Sequence, residues 1–158
     1  MCEQFLGLFR QAGDQAGGER WALAGLGTCH AHLGNYELAR GYARQALELD
    51  PKGSDSIHQA RTYGLLGLVH SRLGEHAQAI SAYQQALAIA RTWKASLSRK
   101  VLAGLLASYG DACQAAGDPA AARQAWQQAL QVRHDLGLPD SPRIRAKLER
   151  ASQPSQAG

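Results

Sequence analysis

The sequence predicts an all-α protein of antiparallel helix hairpins stacked side by side, and three observations predict it. Alanine, leucine, glutamine and arginine dominate while valine, isoleucine and phenylalanine are scarce, which favours helix and leaves little to build strands. Hydrophobic residues make up 45% of the 158 and charged residues 19%, so the chain can bury a core and is not disordered. The third observation is an internal repeat. Gly27, Gly67 and Gly110 are each followed seven residues later by a second glycine, at Gly34, Gly74 and Gly117. Five residues further lies an alanine (Ala39, Ala79, Ala122), and seven beyond that another (Ala46, Ala86, Ala129). With glycine at only 17 of 158 positions, six glycines in two columns are not a chance pattern.

Each column has a physical reason. The first glycine falls inside a helix, where it costs about 1 kcal/mol relative to alanine. Close approach of the second helix of the hairpin compensates, with the two alanines as the opposing face. The second glycine ends the first helix in a left-handed conformation and opens a tight turn. Large core residues are expected at Leu23, Leu26 and Leu33, at Tyr63, Leu66 and Leu73, and at Leu106 and Tyr109. Ala43, Tyr83 and Trp126 hold one equivalent position on the second helices and fill the gap between neighbouring hairpins.

The helices are expected near 18–33, 35–49, 55–73, 75–93, 98–116 and 119–136. Asp118-Pro119 reads as an N-cap followed by proline at the first helical position, and Ser141-Pro142 repeats that signal. It starts a last helix, 142–152, with Ile144 and Leu148 packed inward and Arg143, Arg145, Lys147, Glu149 and Arg150 facing water. A charged outer face of this kind caps the open end of a solenoid. The chain thus divides into a leading segment 1–14, hairpins at 18–51, 55–93 and 98–136, a capping helix at 141–152 and a frayed tail at 153–158. The leading segment, Phe5-Leu6-Gly7-Leu8-Phe9-Arg10, admits two readings. Either it is the second helix of a half-repeat, whose Phe5, Leu8 and Phe9 then favour self-association, or it is a short capping helix folded onto the first hairpin.

These residues resemble the tetratricopeptide repeat. The match is close in Gly34-Asn35-Tyr36-Glu37-Leu38-Ala39 followed by Gln45-Ala46-Leu47-Glu48-Leu49-Asp50-Pro51, and the resemblance covers residues 20–136. It implies a right-handed superhelix whose first helices line a concave groove that binds protein partners. Two departures stand out: the closing proline occurs only at Pro51, and the repeats recur at 40 and 43 residues rather than the family's roughly 34. Longer helices around the connections 50–59 and 91–100 would absorb the excess. The segment from Gly110-Asp111-Ala112-Cys113 through Ala125-Trp126-Gln127-Gln128-Ala129-Leu130 to Arg143-Ile144-Arg145-Ala146-Lys147-Leu148 also resembles the end of the repeat region in actinobacterial SARP and NB-ARC type transcriptional regulators. That resemblance implies the regulatory or sensor part of a bacterial regulator. A free-standing adaptor binding a peptide of its partner is the alternative.

Chemistry is sparse. There is no nucleophile elbow, phosphate-binding glycine loop or HExxH, and acidic residues are too dispersed for a general acid and base pair, so neither an enzyme nor a cofactor is expected. In Cys29-His30-Ala31-His32 the two histidines point to different helix faces and cannot share an ion. His30, His70 and Cys113 share one column and read as interior packing. Three cysteines without CxxC spacing (Cys2, Cys29, Cys113) suit reduced thiols and a cytoplasmic location. No apolar run is long enough for a membrane span, and Cys2 to Arg10 lacks the features of a signal peptide.

The net charge of +4 is scattered. Arg91, Lys94, Arg99 and Lys100 around Trp93 read as a solvated connection, so nucleic acid is not the expected partner. Repeat position instead assigns a partner-binding groove to Trp21, Thr28 and His32, to Arg61, Leu68 and Arg72, and to Asp111 and Gln114. Trp21 would anchor the partner, and the two arginines would pair with its acidic groups. The carboxylate-gripping lysines and asparagines of co-chaperone domains are absent, their positions holding Ala24, Thr28, Ala107 and Ser108.

Overall fold

A computed structural model describes residues 17–49, 56–92 and 96–152. Among them are seven helices and no strand: α1 Gly17–His32, α2 Tyr36–Glu48, α3 Ser56–Arg72, α4 His76–Ala90, α5 Ser96–Ala115, α6 Pro119–Asp135 and α7 Pro142–Ser152. Helices α1 and α2, α3 and α4, and α5 and α6 pack as hairpins; α2 meets α3, α4 meets α5, and α7 closes against α6. The first helices α1, α3 and α5 also touch in sequence and form one wall of the stack, as a superhelix requires.

The turns are built identically. Gly34, Gly74 and Gly117 have φ of 81°, 77° and 85°, a region open to glycine at no steric cost. The amide after each glycine donates back to the helix it follows: Asn35 to the His30 carbonyl, Glu75 to that of His70, Asp118 to that of Cys113, all at 2.9 Å. A fourth turn of the same kind, at Gly137 (φ 64°), ends α6 before the capping helix. At the next helix starts, Asp118 accepts from the Ala121 amide at 2.9 Å. Asn35 and Glu75 make no side-chain cap and turn to the histidine behind them, Asn35 Nδ2 lying 3.4 Å from His30 and Glu75 contacting His70 directly. Glu75 also accepts from Arg40 at 3.2 Å, which ties the second hairpin to the first. The His70 and Arg40 contacts hold its carboxyl below the usual carboxylate range.

The mid-helix glycines sit where close approach demands them. A Cβ on Gly27 would lie 2.9 Å from Leu65 Cδ2 and 3.2 Å from the Ala39 carbonyl. On Gly67 it would strike the Tyr83 ring at 2.8 Å, and on Gly110 Trp126 Nε1 at 2.5 Å. Ala39, Ala79, Ala86, Ala122 and Ala129 are wholly buried beside them, with Ala43, Tyr83 and Trp126 buried in the gaps between hairpins. Leu23, Leu26, Leu66 and Leu106 are core, and Tyr63, Leu73 and Tyr109 are half-buried against it.

Two expectations fail. Leu33 is 73% exposed rather than core. Its counterpart Leu73 packs against the buried cluster that holds Ala31, Ala39, Ala43, Leu65, Leu66, Val69 and Ala82, whereas Leu33 packs on neither buried cluster of the described residues. In α7 Ile144 is buried and Leu148 half-buried, but Lys147 does not face water; its ammonium stands 5.6 Å from the Trp126 ring centre. The expected leading segment 1–14 and tail 153–158 lie outside the described residues.

Candidate functional site

The three first helices enclose a groove of about 610 Å³. Helix α1 contributes Trp21, Ala24, Gly25 and Thr28, α3 His58, Arg61, Gly64, Leu65 and Leu68, and α5 Val101, Gly104, Leu105 and Ser108. Tyr83 reaches its floor from α4, where burial pushes the phenol up to about 12 against the pull of Ser108 and Ser71, so it stays neutral.

Of the residues assigned to this groove from sequence, Trp21, Thr28, Arg61 and Leu68 line it. The Trp21 side chain is 53% exposed and its ring is held against His58, the centres 3.9 Å apart and the planes tilted by 45°. Thr28 donates its hydroxyl to the Ala24 carbonyl at 2.9 Å, an ordinary helix contact that leaves it little to offer a ligand. Arg61 is exposed and forms no ion pair among the described residues, and no described acidic residue lines the cavity. His32 and Arg72 lie apart from it, exposed in the last turns of their helices.

Asp111 and Gln114 belong elsewhere. They line a second cavity of about 480 Å³ together with Trp126, Lys147 and Arg150, between α5, α6 and the capping helix. Asp111 accepts from Trp126 Nε1 at 3.0 Å and from Arg143 at 3.3 Å, and it contacts Lys147. Its carboxylate is therefore committed to holding α7 in place and is not a free groove acid. Repeat position gives Asp111 the same register as Thr28 and Leu68, but α7 covers that end and Asp111 does not line the cavity that they share. The one available signal was the i,i+4 spacing of Arg143 and Lys147, which sets two cations on one face of a short helix. A smaller cavity, lined by Arg133, Arg143 and Lys147, shares Gly104 and Ser108 with the main groove, so the groove runs on to a basic end.

Other sequence candidates resolve simply. His70 and Cys113 are buried, and His30 stacks on Tyr42 at 5.4 Å, so their column is packing. Burial also pushes the Cys113 thiol up, which keeps it protonated. Among the described residues no three His, Cys, Asp or Glu side chains are grouped to hold a metal, and no helix is long and apolar enough to cross a membrane. Of the basic connection, Arg99 pairs with Asp135 at 3.1 Å, while Trp93 and Lys94 lie outside the described residues, as do Phe5, Leu8 and Phe9.

Residues 19–92 match the family model of the tetratricopeptide repeat. The fold is a tetratricopeptide-repeat superhelix. Solved structures agree over nearly the whole chain. The N-terminal domain of stress-induced protein-1 from C. elegans superposes with a TM-score of 0.66 at 21% identity, over 85% of this chain and 94% of that one. BtubC from P. vanneervenii gives 0.75 at 22% identity over 89% of this chain, which spans 57% of that protein. A Podosopora anserina protein with nearly identical TPR-like repeats gives 0.74 at 17% identity, over 95% of this chain and 73% of its own. No curated protein sequence matches the chain. The first two hairpins carry the family match, and the third is the one that α7 covers.

Proposed function

We propose that the chain is a protein-interaction module that binds a peptide segment of its partner in the groove formed by α1, α3 and α5. The observation that carries this reading is Trp21, a half-exposed indole packed on His58 in the lining of a cavity where, among the described residues, Arg61 is the one Lys, Arg, Asp or Glu and forms no ion pair. An exposed aromatic on a rigid helix loses little entropy on binding and supplies a large contact area. Replacing Trp21 or Arg61 by alanine is expected to weaken partner binding about tenfold or more, the loss typical of an interface anchor. The melting temperature should stay within about 2 °C of wild type, because neither side chain fills the core. Unfolding by either substitution would show the residue to be structural and sink the reading.

The resemblance of Gly110 through Leu148 to the end of the repeat region in SARP and NB-ARC type regulators supports a finer reading. In it the module is the regulatory part of a bacterial transcriptional regulator, and the free-standing adaptor is the alternative. Sequencing the DNA upstream of the Met1 codon tests it. An open frame running into a nucleotide-binding domain is the expected result, and a stop codon followed by a ribosome-binding site favours the adaptor.

A further inference from the structure

Three cations meet where the repeat ends. Arg133, in the last turn of α6, and Arg143 and Lys147, one turn apart on α7, line a cavity of about 190 Å³ beside α5. Among the described residues one acid, Asp111, lines it with them. Asp111 accepts from Arg143 at 3.3 Å and contacts Lys147 as well, so a single carboxylate answers two cations, and no described acid pairs with Arg133. The acids nearest in sequence are committed elsewhere, Asp135 to Arg99 at 3.1 Å and Asp140 to Arg145. Glu149 is exposed and outside the lining. Like charges gathered in a small, partly closed space repel one another, and an anion placed among them removes that cost.

The donors are held in place by the fold itself. Arg133 donates Nε and Nη2 to the Pro139 carbonyl at 3.1 and 2.7 Å, which fixes the guanidinium and keeps its other N–H groups for a ligand. The Lys147 side chain is 19% exposed and is steadied by Trp126, whose ring centre lies 5.6 Å from the ammonium. Ser141 accepts from the Ile144 amide at 3.4 Å, which leaves its own hydroxyl proton to give, and Ser108 adds a second hydroxyl to the lining.

Size and charge together select the ligand. A cavity smaller than the about 300–1,000 Å³ of drug-sized sites has room for one anionic group and not for a ring system. Three cations against one carboxylate match a phosphate group, which carries about −1.5 to −2 at neutral pH and offers three strong acceptor oxygens. A monocarboxylate would leave one cation unanswered. None of the three cations stands on a first helix of the repeat, so the site is a product of the junction between α6 and α7. We propose that this cavity binds a phosphate group, free or on a small organic ester, held by Arg133, Arg143 and Lys147. The bound anion clasps α7 to the end of α6.

Equilibrium dialysis of the whole chain against radiolabelled inorganic phosphate tests it, at low salt so that screening stays weak. One saturable site with a millimolar or tighter Kd is expected. Arg133→Gln and Arg143→Gln should each weaken binding about tenfold to a hundredfold, the loss of a charged hydrogen bond. The Arg143 side chain is 78% exposed, so its replacement should leave the fold intact. Arg123→Gln removes an exposed cation of α6 outside the lining and should not change the affinity. Phosphate should also slow tryptic cutting within α7 several-fold relative to sodium chloride at equal ionic strength. Displacement of the label by phenyl phosphate assigns the phosphate of an organic ester, and failure to displace it assigns the free ion; the site stands in either case. No saturable binding, no loss in Arg143→Gln, an equal loss in Arg123→Gln, or displacement by acetate at matched concentration would overturn the proposal.

Discussion

Two glycines six residues apart on α5 should respond to the same substitution with opposite signs. Gly104 and Gly110 both stand inside the helix, so alanine gains about 1 kcal/mol of helix propensity at either. At Gly104 the added Cβ meets nothing within 4 Å, and the whole gain should appear as stability. At Gly110 it would lie 2.5 Å from Trp126 Nε1, 2.6 Å from Cδ1 and 3.0 Å from the Ala122 carbonyl. The backbone carbonyl cannot swing aside, and the indole is buried, so the hairpin must open or the ring must shift. Overpacking of this kind costs about 1–3 kcal/mol. Moving the ring also breaks the 3.0 Å bond to the Asp111 carboxylate, a loss of about 1.5–3 kcal/mol when the acceptor is charged. Net destabilisation of about 1.5–5 kcal/mol is expected after the propensity gain is deducted. Urea denaturation followed by circular dichroism at 222 nm measures both variants. A Gly110→Ala protein as stable as Gly104→Ala would refute the close-approach explanation of the repeat's first glycine column.

Three further outcomes follow from the same geometry. Leu73→Ala should cost about 1–2 kcal/mol, a fraction of the full core value, while Leu33→Ala should change stability by less than about 0.5 kcal/mol, measured by the same denaturation. Glu75 has a folded pKa below its usual 4.5, so the unfolded chain binds the proton more readily. Its contribution is therefore present at neutral pH and lost as pH falls through the folded value, and Glu75→Gln should flatten the acid side of a stability profile taken between pH 7 and about pH 3. Asp111→Asn should weaken the hold on Arg143 and Lys147, and limited trypsin digestion should then cut α7 several-fold faster while helical content is kept; unchanged cleavage would show that Ile144 and Leu148 alone anchor the helix.

Much of the fold was legible because it is encoded locally and then repeated. A left-handed turn needs a glycine at a set distance from the helix it ends, and a close helix pair needs small residues at fixed steps, so the columns of Gly27, Gly34, Ala39 and Ala46 state the hairpin three times over. The groove residues Trp21, Arg61 and Leu68 were reached the same way, since position in the repeat sets which face of the first helix a side chain occupies.

Tertiary structure decided what depends on neighbours outside the repeat. Leu33 and Leu73 read identically in sequence, yet one is exposed and the other packed, because burial belongs to the surface opposite and not to the residue. Asp111 shares a column with Leu68, but α7, which follows no repeat pattern, brings Lys147 and Arg143 across it and changes a groove acid into an anchor. Outside the repeat columns, Gly64 reads like Gly25 and Gly104 in sequence, and only the space around each shows that Gly64 faces Leu105 while the other two meet nothing. Periodicity determined which residues face one another within a hairpin, and only the assembled stack determined which of those faces are left free.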